Sequence, residues 1–133
     1  MSNASPTNAS GRDLAALQGV WEQVGLESDG EIEPPDDDHG APGALTTISG
    51  NTFSVRTLQG EILLKGSFTL DASTTPRSIT WVDDIGVDQG KHLPASYELD
   101  GDHFVFIAAS EGAARPTRFT TVPGLTMRTF RRK

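Results

Sequence analysis

The sequence predicts an all-β fold: eight or nine antiparallel strands closed into a barrel, behind one short N-terminal helical turn. Three observations predict it. Ile62, Leu64, Gly66, Phe68 and Leu70 alternate with Lys65, Ser67, Thr69 and Asp71, the period-two pattern of a strand with one buried face. Gly50-Asn51, Gln59-Gly60 and Asp100-Gly101 stand between apolar runs at hairpin spacing. The 14 glycines and 8 prolines are enough to divide 133 residues into many short strands. Closing the sheet on itself removes the edges it would otherwise expose.

Residues 1–12 read as a disordered polar tail, and residues 13–133 as a single domain. Asp13 is placed to cap a helical turn through Leu14, Ala15, Ala16 and Leu17. A first strand over residues 19–26 carries Val20, Trp21, Val24 and Leu26. Residues 31–42, with three prolines and the run Asp36, Asp37, Asp38, His39, Gly40, read as an exposed loop without a regular element. A turn at Gly50-Asn51 sets Ile48 opposite Phe53 and Thr46 opposite Val55. With Gln59-Gly60 central, Val55 meets Leu64 and Thr57 meets Ile62. Thr75-Pro76 breaks the chain before a strand through Ile79 and Trp81, and the next strand turns Leu93, Ala95, Tyr97 and Leu99 to one side. A turn at Asp100-Gly101 sets Tyr97 opposite Phe104 and Glu98 opposite His103, with Phe104, Phe106 and Ala108 facing inward. A short strand over residues 118–122 and a closing one over residues 125–131 complete the set.

The formal net charge of −7 argues against nucleic acid and anionic membrane as partners, since both select a positive surface. Residues 1–67 carry the whole excess, with 3 Lys/Arg against 10 Asp/Glu. Without cysteine, neither disulfides nor thiolate chemistry are available. No apolar run is long enough for a membrane span or the core of a signal peptide. The chain as it stands therefore reads as a cytoplasmic monomer. Met1-Ser2-Asn3-Ala4 reads as a cloning remnant, and the polar tail could follow a removed leader, which would place the protein in the periplasm or outside the cell.

Gly19-Val20-Trp21 on a first strand that follows a helical turn is similar to the Gly-x-Trp signature of the lipocalin superfamily. That resemblance implies that Trp21 plugs one barrel end behind Gly19 and that a basic residue of the last strand, Arg128 or Arg131, packs across the indole. A wider series resembles a bacterial lipocalin-like domain family of unknown function, first catalogued from planctomycetes. It comprises Leu17-Gln18-Gly19-Val20-Trp21, Gly66-Ser67-Phe68-Thr69-Leu70-Asp71, Thr75-Pro76-Arg77-Ser78-Ile79, Gly90-Lys91, Tyr97-Glu98-Leu99-Asp100-Gly101-Asp102 and Arg115-Pro116-Thr117-Arg118-Phe119. The likeness covers nearly the whole chain from Leu14 and implies a fold, with no chemistry to carry over. The acidic Pro-rich loop and the less aliphatic C-terminal strand depart from it.

The sequence indicates no enzyme, metal or cofactor site. Asp36, Asp38 and His39, and separately Asp83, Asp84 and Asp88, are clustered acids, but a calcium loop starting at Asp36 needs a glutamate where Thr47 stands. His39, His92 and His103 lie in separate turns or strand ends. Glu98, Asp100 and Asp102 sit at a hairpin, without the walled cleft that separates two carboxyl pKa values. There remains the barrel interior, just wide enough at eight strands to be filled or to hold one small ligand. The first expectation is a non-catalytic binding module for a small apolar or amphipathic ligand lined by Phe68, Trp81, Tyr97, Phe104 and Phe106. Thr46, Gly66, Ala95 and Ala108 leave it room. The alternative is an inhibitor-type or immunity-type interaction module that presents Asp36, Asp37, Asp38 and His39 to a basic protein.

Overall fold

In the computed structural model, which describes residues 9–28, 30–33, 44–86 and 89–133, one helix leads directly into a nine-stranded antiparallel sheet. Helix α1 (Ala9–Leu17) is followed by β1 (Gly19–Ser28), β2 (Glu31–Glu33), β3 (Leu45–Ser49), β4 (Thr52–Arg56) and β5 (Ile62–Asp71). Then come β6 (Arg77–Asp83), β7 (His92–Asp100), β8 (His103–Ala108) and β9 (Thr126–Arg132). From β3 to β9 each strand pairs with the next, and β1 closes the circle by pairing with both β3 and β9. Eight strands thus make the barrel, and β2 lies along the far end of β1, pairing Leu26 with Glu33.

The alternation read from the sequence sets most of this register. Ile48 faces Phe53, Thr46 faces Val55 and Val55 faces Leu64, as the turns require. Beyond Val55 the ladder slips: Arg56, not Thr57, meets Ile62, leaving Leu63 as an extra residue. The turn there has three residues, Leu58, Gln59 and Gly60, with the Thr57 amide donating to Glu61 O. An extra residue moves its neighbour in the strand to the other face, so Ile62, expected inside, is 40% exposed. The hairpin between β7 and β8 also differs from expectation. Its two-residue loop is Gly101-Asp102, with φ +60° at Gly101, so Leu99 rather than Tyr97 faces Phe104, and Tyr97 faces Phe106. This two-residue offset preserves parity, and Tyr97 and Phe104 stay inward.

Three further expectations give way to tertiary contacts. The helix starts at Ala9, so residues 9–12 are ordered and Asp13 is interior to α1. Its carboxylate accepts from Tyr97 Oη at 2.6 Å and Arg77 Nη1 at 3.0 Å, which tie the helix to the barrel. Residues 31–33, read as loop, are held as β2 by pairing with β1. Residues 118–122 form no strand. They belong to a segment, residues 109–125, that crosses the outside of β7, β8 and β1. There Ser96 Oγ donates to Pro116 O, and Thr121 Oγ1 donates to Glu27 Oε2 while accepting from the Gly30 amide. Arg115 reaches Ile79 O, Ala95 O and Thr80 Oγ1 beside Pro94, the strand residue with no N–H to give. Under this segment the outward-facing Ser96 and Ile107 are buried.

One barrel end is sealed. Trp21 is 0% exposed, its Nε1 donates to Leu17 O at 2.8 Å, and the guanidinium of Arg132 lies 4.3 Å from its ring centroid. The stacking residue is therefore neither Arg128 nor Arg131. Trp21 pairs directly with Arg132, the closing strand running one residue further than expected; Arg131 faces outward to Glu22, and Arg128 lies four residues back along β9. Leu17, Phe68, Ile79, Tyr97 and Phe104 are buried at this core. Gly66 is close-packed instead of leaving room: a Cβ there would lie 2.0 Å from Val82 O and 2.9 Å from Phe53 Cε1.

Gly66→Ala should therefore destabilise by at least about 1–3 kcal/mol in urea unfolding; an unchanged midpoint would contradict this strand approach. Arg132→Ala, which removes the stack and its carbonyl partners, should cost about 2 kcal/mol or more. Arg131→Ala, losing one exposed pair, should change stability by less than about 1 kcal/mol in the same assay.

Candidate functional site

The opposite end of the barrel holds a cavity of about 360 Å³. Its position follows from strand tilt. In a closed sheet the strands run oblique to the axis, so residues paired across successive strands climb from one end towards the other. The row that begins with Arg132 and Trp21 at the sealed end continues through Thr46, Val55 and Leu64, and the last three line the cavity. Likewise Tyr97, beside the helix, pairs with Phe106, which pairs with Arg128, and the latter two line the cavity.

Phe53, Val55, Leu64, Trp81, Leu93, Phe106 and Phe130 make the apolar wall. The rings interlock: Trp81 stands 4.8 Å from Phe106 and 5.1 Å from Phe53, edge to face with the latter, and Phe106 stacks on Phe130 at 5.9 Å. Gln23, Thr46, Asp83 and Arg128 interrupt that wall with polar groups, and Lys91, Ser110, Glu111 and Gly124 stand at the mouth. Gln23 owes its inward position to β1 geometry. It lies two residues after Trp21 on the same face and pairs with Phe130; the ladder with β9 then skips Val24, which is 44% exposed, and this brings Leu26 inward as well. Gln23 Oε1 accepts from Arg128 Nη1 at 3.0 Å. Glu111 Oε2 accepts from the His92 amide at 3.0 Å, fastening the segment after β8 to the start of β7. Gln23 Nε2 and Trp81 Nε1 are buried with no hydrogen-bond partner among the described residues.

The expected lining residues divide between the two ends. Trp81 and Phe106 line the cavity, whereas Phe68, Tyr97 and Phe104 do not and are packed in the sealed core. Thr46 and Ala108 do provide room, while Ala95 is closed in the core. Arg128, expected to cover Trp21, lines the cavity instead. Gln23 was missed because its side chain is polar, although alternation from Trp21 already turns it inward. Asp83 is buried in the wall and Asp84 exposed, so these two acids do not converge on one ion. Asp36, Asp37, Asp38, His39 and Asp88 lie outside the described residues. No protein-family model matches the sequence, and no curated protein matches it.

Tyr97 is the one tyrosine of the chain, and its hydroxyl is committed to Asp13. Burial, reinforced by the Asp13 carboxylate that accepts its proton, pushes the phenol well above its ordinary value of 10.0. The folded state thus resists ionisation that the unfolded chain undergoes near pH 10, so this contribution to stability is complete below pH 10 and is lost as pH rises above it. Phenolate absorbance should accordingly appear only together with alkaline unfolding. Tyr97→Phe should cost about 1–2 kcal/mol at neutral pH, shrinking above pH 10. Phenolate formation in the intact fold near pH 10 would contradict the assignment.

Proposed function

We propose that the chain is a non-catalytic, lipocalin-like binding module that holds a small apolar or amphipathic molecule in the open end of its barrel. The observation that carries this reading is the cavity: about 360 Å³ of space walled by aromatic and aliphatic side chains, with a few polar groups. That volume lies at the lower end of the range for small-molecule pockets and suits a compact ligand better than a large macrocycle. The sealed end supports the reading, because a helix-plugged floor closes one end of the barrel and leaves the cavity at the other. The enclosed Trp21, with Arg132 stacked on its indole, keeps that floor closed.

Four carboxylates outside the cavity are engaged in holding the fold, which favours binding over catalysis for them. Asp13 holds Tyr97 and Arg77, Glu27 holds Thr121, Asp71 holds Ser73 and Asp102 holds Arg132.

A thermal-shift panel of fatty acids, retinoids and small aromatics tests the proposal. A ligand at about 100 times its Kd should add about 2.7 kcal/mol of stability. Ala108→Phe, which places a ring in the cavity, should abolish that gain while the variant stays folded by circular dichroism. A panel in which nothing raises the melting temperature, or in which Ala108→Phe responds like the parent, would refute it.

A further inference from the structure

Two hydrogen-bond donors in the cavity wall have no partner among the described residues. Trp81 and Gln23 both line the cavity, and Trp81 Nε1 and Gln23 Nε2 are both buried without a partner. The chain's other tryptophan shows the contrast, since Trp21 Nε1 is satisfied by Leu17 O. A buried N–H left unpaired costs about 1–3 kcal/mol, and native folds carry few such groups. The Gln23 amide is half used: Oε1 accepts from Arg128, and that bond decides which end of the amide is the nitrogen.

The wall's charges balance. Arg128 and Lys91 stand against Asp83 and Glu111, so a carboxylate entering the cavity meets no net positive charge to offset its desolvation. A carbonyl oxygen is neutral and has two lone pairs, which matches two neutral N–H donors. Resting on the binding reading above, we propose that the ligand class is a neutral carbonyl compound: a ketone, ester or lactone on an apolar skeleton. Its oxygen is received by Trp81 Nε1 and Gln23 Nε2. Both nitrogens are enclosed within the wall, so the oxygen reaches them as the Gln23 amide and the Trp81 ring turn towards the cavity, which the broad terminal torsions of both side chains allow. Phe53 and Phe106, packed on Trp81, receive the skeleton beside it.

The test uses acetonaphthone, ethylnaphthalene and naphthoate, which present a ketone, a hydrocarbon and a carboxylate on one ring system. With two tryptophans in the chain, an isotope-labelled sample shows two indole N–H resonances, and Trp81→Phe identifies which is which. Acetonaphthone should bind about tenfold or more tighter than ethylnaphthalene, equivalent to about 1.4 kcal/mol. It should move the Trp81 indole proton downfield, the direction of hydrogen-bond formation, and leave the Trp21 resonance in place. Gln23→Met should weaken acetonaphthone by a larger factor than it changes ethylnaphthalene, so that the preference for the ketone falls. Equal affinity for ketone and hydrocarbon with no downfield movement would overturn the carbonyl assignment while leaving cavity binding intact. Tightest binding of naphthoate would overturn it in favour of an anionic ligand. If none of the three binds, the binding reading falls and the carbonyl assignment with it.

Discussion

Burial of one indole organises the sealed end. Trp21 is large, fully enclosed and polar at one atom, so the fold must cover its ring and give its N–H an acceptor. The last residue of α1 supplies the acceptor, through Leu17 O, and Arg132 of β9 covers the face. The same guanidinium donates to Ala16 O and Gln18 O, carbonyls at the C-terminal end of the helix that have no intrahelical partner. Helix α1 carries no basic residue in its own last turn, so the cation favoured at that negative pole comes from the other end of the chain. Helix, first strand and last strand therefore meet at one side chain.

With the floor fixed in this way, the place of the cavity follows from geometry. Tilted strands carry each row of inward residues from floor to mouth, and the rows change character as they climb. Bulky, fully buried groups such as Trp21, Phe68 and Tyr97 fill the lower part, while Thr46 and Ala108 are small and leave space above. Gly66 works in the opposite sense: its missing side chain is taken up by the Val82 carbonyl and the Phe53 ring, which brings the wall inward. The absence of a side chain thus means room at one position and close packing at another, and only the neighbouring strands decide which.

The sequence was most legible where period two and a tight turn acted together. From Thr46 to Leu64 and through β6 and β7, alternation identified the inward residues, and local turn chemistry set most pairings. It failed where one residue too many sits in a ladder, as at Leu63 and Val24, because an irregularity is stabilised by the partner strand. The candidate site was half legible for a related reason. Period two tells inside from outside and says nothing of height along the barrel axis. Trp81 and Phe106 could not be told from Phe68, Tyr97 and Phe104 without the tilt. Arg128 and Arg131 could not be told from Arg132 without knowing which of them lies level with Trp21. Asp13 was misread because a carboxylate at a helix start is an ordinary cap, whereas here it answers a phenol and a guanidinium more than sixty positions away in the chain.

The pairing of Trp21 with Arg132 spans nearly the whole polypeptide, and closing so long a loop costs more entropy than any hairpin of the barrel. A chain with β1 and β9 undocked would present β3 to β8 as an open ribbon with two raw margins. The apolar outer row at Val105 and Ile107, hidden in the finished barrel, is then bare as well. Such a ribbon is adhesive by its own topology. At high concentration, meeting a second ribbon competes with closing on itself, and dilution is the condition that favours the finished barrel.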